Sequence, residues 1–127
     1  LALEISDKAL ISTVLDSLAR AALASENYPE AMNRFKKSFG SAMEMTATPT
    51  ALAALTGIAE ITLRLGQIEN AASLLEFITK HPMTMQLDKD DAERLIKELE
   101  QTVDEAVLSR AFEQARALDL ETVAMTL

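Results

Sequence analysis

The chain has no cysteine and no tryptophan, only three glycines and three prolines among 127 residues, and an aromatic content of 4%. Without cysteine there are no disulfides, no thiolate nucleophile and no thiolate metal ligand, and a cytoplasmic setting is the expectation. The single histidine, His81, has no partner at a spacing that would hold a metal or relay a proton. Just before Pro82 it reads as a helix-end residue, where a cation interacts well with the dipole. No apolar run approaches the ~20 residues that cross a bilayer, and no signal peptide is visible. Basic charge is also short: 12 Lys and Arg stand against 20 Asp and Glu, a formal net charge of -8. A nucleic-acid binder needs a basic footprint, which this chain lacks. No Gly-rich loop ends in Lys-Ser or Lys-Thr, so nothing here cradles a nucleotide, and no basic recognition helix is evident.

What is present is 49% hydrophobic residues, mainly Ala, Leu and Met. Ala and Leu are strong helix formers, and little β-branched clustering suggests a sheet. The expected class is all-α, with close helix contacts through Ala and about seven helices. The first runs over 6–25, capped by Ser6, with Leu10, Val14, Leu18 and Ala22 inward and Ile11 and Leu15 beside them. Pro29 starts the second, whose inward face is Ala31, Phe35, Phe39 and Ala42. Thr48 before Pro49 caps a third over 49–65, with Leu52, Leu55, Ile58, Ala59, Thr62 and Leu65 facing neighbours. Gly66 ends it in a left-handed conformation. A fourth covers 68–80, using Ala71, Ala72, Leu75 and Ile78. Asp88 caps a fifth with Ile96, Leu99 and Val103 as its seam and Leu95 beside it. A stretch over 104–117 either continues that helix with a bend or forms a sixth, and Asp119 caps a short last one.

Two phrases share one layout about 40 residues apart. Glu26-Asn27-Tyr28-Pro29-Glu30-Ala31 and Gly66-Gln67-Ile68-Glu69-Asn70-Ala71 each give a short turn, an apolar residue and then Ala. Helix–turn–helix units on this scale cannot bury their apolar side alone and must stack. The phrases resemble tetratricopeptide repeats. Tyr28 and Ile68 stand at the family's turn Tyr, Ala31 and Ala71 at its small crossing residue, Phe35 and Leu75 at its large apolar residue. Leu15, Leu18 and Ala19 match the Trp, Leu and Gly of the first helix, Ile58 and Ala59 the Leu-Gly pair, and Gly66 the turn glycine. The resemblance implies one superhelical domain over 1–127, with hairpins at 6–45 and 49–82 and a divergent cap at 88–127.

The longer unit, and the tail phrase Arg116-Ala117-Leu118-Asp119-Leu120-Glu121 after a Phe112-containing helix, resemble the C-terminal repeat region of bacterial ATPase and helix-turn-helix transcriptional regulators. With Leu1 in place of an initiator Met, a piece of a larger regulator is the expectation. Such a region binds a protein or peptide, including another domain of its own parent, without catalysis and without a cofactor. It does not itself contact nucleic acid or membrane. The resemblance places the partner groove on the first helix of each hairpin, at Thr13, Asp16, Ser17 and Arg20, and at Thr56, Glu60, Leu63 and Arg64. Ala53 and Gly57 fall on the same stretch. Asp16–Arg20 and Glu60–Arg64 are each spaced for a surface bridge worth about 0.2–0.5 kcal/mol. Homo-oligomerisation through apolar Leu1, Leu3 and Ile5 is the second reading. A small-ligand bundle is the third and requires a pocket with convergent polar groups. Most of the six methionines read as core or groove filler, with Met83 and Met85 as candidate exposed contacts.

Overall fold

The computed structural model describes the backbone of residues 2–127 and the side chains of Asp7 and residues 9–127. The side chains of Leu3, Ile5 and Ser6, and all of Leu1, lie outside the described residues. Seven helices and no strand are found among the described residues: α1 (Ala2–Ala24), α2 (Tyr28–Glu44), α3 (Thr48–Arg64), α4 (Ile68–Lys80), α5 (Gln86–Thr102), α6 (Glu105–Ala115) and α7 (Leu120–Thr126). Each of the first four packs on the next, α1 also touches α3, and α3 also touches α5. α4 carries both α5 and α6.

A period half as long as the one read from the sequence organises this stack. α2, α3 and α4 begin at Tyr28, Thr48 and Ile68, twenty residues apart. The turns that precede them are one motif used three times. Glu26 N–H donates to the Leu23 carbonyl and Asn27 N–H to Ala22. Thr46 and Ala47 repeat this on Met43 and Ala42, and Gly66 and Gln67 on Leu63 and Thr62. This is the paired bonding that closes a helix through a left-handed residue. Its φ is 60° at Glu26, 55° at Thr46 and 84° at Gly66, so only the last turn has the residue that adopts it without steric cost.

The core follows the same twenty-residue register. Ala31, Ala51 and Ala71 are fully buried, as are Phe35, Leu55 and Leu75, and Ser38, Ile58 and Ile78 are at most 1% exposed. α3 lies between neighbours on both sides, and every residue over 51–59 is buried. Small residues let the helices approach. Gly57 of α3 faces the end of the Phe35 ring on α2, where a Cβ would lie within 2.6 Å of three ring carbons. Between α1 and α2 the crossing is polar: Ser12 and Ser38, both buried, bring their hydroxyls to 3.2 Å, and the Ser38 hydroxyl also reaches the Ser12 carbonyl at 3.2 Å.

Several expectations are corrected. α1 begins before Ser6, so Ser6 is not its cap. Leu10, Ile11, Val14 and Leu18 do not face inward; they are 63%, 52%, 48% and 44% exposed, while Ser12, Ala19 and Ala22 face α2. Leu65 is likewise exposed. α3 is capped at Ala47 rather than Thr48, and α5 at Met85 rather than Asp88, which lies buried in its first turn. Of the two readings left open for 104–117, the separate sixth helix is the one found. Val103 is extended between α5 and α6, and Asp104 caps α6 by accepting the Ala106 N–H. The methionine reading needs less revision: Met32 and Met43 pack half-buried against the core and Met45 is half-buried, Met83 and Met85 are exposed as expected, and Met125 is exposed too. Asp119 does cap α7, accepting from the Thr122 N–H and hydroxyl.

Candidate interaction site

Arg20 projects from α1 toward the middle of the stack. Its Nε donates to Asp16 Oδ2 at 2.9 Å, Nη2 reaches the Ala53 carbonyl of α3 at 3.5 Å, and the guanidinium carbon stands 5.7 Å from the Phe35 ring centroid. Nη2 also approaches Asp88 of α5 at 4.0 Å. Asp16 Oδ1 is buried and accepts no hydrogen bond among the described residues. The odd-numbered helices α1, α3 and α5 thus share one face, and the charges on it are largely committed to each other. Arg64 bonds Glu98 at 2.8 Å, and Arg94 approaches Glu60 at 3.8 Å.

Of the eight groove candidates, Thr13, Ser17, Arg20 and Arg64 are exposed, and Asp16, Glu60 and Leu63 are half-buried. Thr56 is buried and donates its hydroxyl to the Leu52 carbonyl, so it is removed from the groove, and Ala53 and Gly57 are buried with it. The Asp16–Arg20 bridge forms as spaced. The Glu60–Arg64 bridge does not: each residue turns instead to α5, where Arg94 and Glu98 stand opposite. Of the packing candidates, Ala19, Ala31, Phe35, Ile58, Ala59, Ala71 and Leu75 are buried, whereas Leu15, Tyr28 and Ile68 are half-buried and Leu18 is exposed. The sequence reading missed Asp88, Arg94 and Glu98 as groove-face residues, because their partners lie more than thirty positions away. It also missed Thr84, whose buried hydroxyl donates to the Ile78 carbonyl and ties the α4–α5 connection down. His81 accepts the Met83 N–H on Nδ1 and meets Phe77 edge-on.

The electrostatics of this face follow from burial and pairing. Burial pushes the Asp88 carboxyl above its ordinary value; Arg20 opposes the rise, and Asp91 and Asp16 add to it. The Arg64 guanidinium hydrogen-bonded to Glu98 holds that carboxyl below its usual range, and the same bond raises Arg64. Because folding raises the Asp88 value, the folded chain holds that proton more tightly. Stability therefore falls as pH rises through the window from 3.8 to the raised value, and the penalty is fully present above it. Asp88→Asn removes the ionisation. Its melting temperature relative to the parent chain is expected to climb between acid and neutral pH, and a difference independent of pH would refute the assignment.

A second surface is the outer ridge of α1. Counting back by twenty, Ile11, Leu15 and Leu18 occupy the register that α2, α3 and α4 bury at 31/35/38, 51/55/58 and 71/75/78. In α1 the same register is exposed at Ile11 and Leu18 and half-buried at Leu15. Leu10, Ile11, Val14 and Leu18 therefore face away from the protein. A helix apolar on both sides normally has neighbours on both.

Among the described residues, no three potential metal-ligating side chains converge, and no helix is long and apolar enough to cross a membrane. No protein-family model, curated protein or solved structure matches the chain.

Proposed function

We propose that the chain is a non-enzymatic helical-repeat module for protein–protein interaction, the regulatory region of a cytoplasmic signalling or transcriptional regulator of the kind it resembles. The observation that carries this reading is the α1 ridge. Leu10, Ile11, Val14 and Leu18 recur at helical spacing and carry no charge, and two of them, Ile11 and Leu18, occupy the register that the following helices bury. The occupant that fits is an amphipathic helix of a partner polypeptide. It would lie along α1 as α2 does on the opposite side, with its apolar stripe against the ridge. The face of α1, α3 and α5 supports the reading less directly, because its ion pairs already link those helices.

A photo-cross-linking residue at Val14 or Leu18, with one at Glu93 as control, tests the proposal. Together with it, light scattering over a concentration series gives the molar mass. A monomer whose ridge positions cross-link to the apolar stripe of a sequenced partner helix is the expected result. A dimer that survives dilution would replace the partner with a second copy. Identical labelling from the ridge and from Glu93 would remove the ridge from function.

A further inference from the structure

Residues of α2, α3, α4, α6 and α7 line a half-open cavity of about 560 Å³. This is within the range of small-molecule sites, about 300–1,000 Å³. Its floor is apolar: Ile58 and Val123 are each 1% exposed. Half-buried Met32, Leu74 and Leu118 form its walls. The only charged side chain lining it is Lys36, which is exposed and makes no ion pair or hydrogen bond among the described residues. In a chain with 20 acids and 12 bases, this lining has no Asp or Glu side chain, the main-chain carboxylate of Leu127 being its one other ionisable group. A groove of about 680 Å³ is lined instead by two acids, Glu69 and Asp104, and a pocket of about 370 Å³ mixes Glu76 with Lys80 and Arg116.

Apolar walls set the body of a ligand, and a lone cation with amide neighbours sets its charge. We infer that this cavity binds a small monoanionic amphiphile, a carboxylate or sulfonate on a compact apolar body, with the head group on Lys36 and the body against Ile58, Leu74 and Val123. A carboxylate or sulfonate is the natural partner because a charge-assisted bond is about twice as strong as a neutral one. A cationic amphiphile would leave Lys36 facing like charge. The inference is independent of the α1 ridge, since no ridge residue lines the cavity.

Titration with anilinonaphthalene sulfonate, followed by fluorescence and calorimetry, tests it. Binding of one probe per chain is expected. Lys36→Glu should weaken it by about tenfold or more, while Lys37→Glu, the adjacent exposed lysine outside the lining, should not. Ser73→Trp, placing an indole in the cavity from a half-buried wall position, should abolish binding even if the charge change at Lys36 perturbs folding. Decanoate should displace the probe, and decyltrimethylammonium should not. Equal displacement by both would overturn the anion preference. Binding that survives Lys36→Glu and Ser73→Trp, or that is lost instead in Val14→Glu/Leu18→Glu, would assign the probe to the ridge and overturn the inference.

Discussion

Gly57→Ala is expected to lower stability by about 1–3 kcal/mol, although alanine is the better helix former by about 1 kcal/mol. The reason is local. A Cβ at position 57 would enter the edge of the Phe35 ring, within 2.6 Å of three of its carbons. The added methyl can be accommodated only if Phe35 moves. That ring is fully buried, and protein interiors are close-packed, so displacing it is costly. α2 and α3 would therefore separate, or Phe35 would leave its rotamer. Urea denaturation of Gly57→Ala beside the parent chain measures the loss. A variant as stable as the parent would show that the Phe35 ring has room to retreat.

Phe35→Ala is expected to cost more, about 3–5 kcal/mol, against a total of about 5–15 kcal/mol for a domain of ordinary stability. It opens a cavity between α2 and α3 and removes the aromatic face beneath Arg20. The two substitutions should not add. Once the ring is gone, the Cβ at position 57 meets open space, and only the helix-propensity gain remains. Gly57→Ala should then stabilise the Phe35→Ala chain by roughly 1 kcal/mol. A reversal of sign between the two backgrounds is the signature of this contact. Additive values would mean that Gly57 is required for something other than Phe35.

The sequence made the helices readable because their ends carry local signals. Pro29 and Pro49 mark first turns, Gly66 a left-handed exit, and Asp119 a cap. The buried faces of α2 and α4 were legible for a similar reason, since Ala31, Phe35, Ala71 and Leu75 stand out against polar neighbours. α1 was not, because it is apolar on both sides and periodicity cannot choose between them. The assumption that larger residues go inward fails there, since close approach to α2 selects Ser12, Ala19 and Ala22 instead. Asp88 looked like a cap because aspartate commonly is one, and its burial depends on α1, far away in the chain. Glu60 and Arg64 had the spacing of a pair, but spacing within one helix cannot reveal that α5 offers each a competitor. The Lys36 cavity draws on five helices and leaves no local trace in the sequence.

The three identical turns have a consequence for how such a chain can lengthen. Each period adds one helix and reverses the direction of travel. Inserting a single twenty-residue unit would send everything after it the opposite way and move α5, α6 and α7 to the other flank. Two units together restore both heading and flank. The duplicated phrases at Glu26 and Gly66 lie forty positions apart, although the backbone motif recurs at twenty. Resemblance is therefore strongest between turns that hand the chain on in the same direction, and Thr46, midway between them, keeps the shape of the turn without its wording.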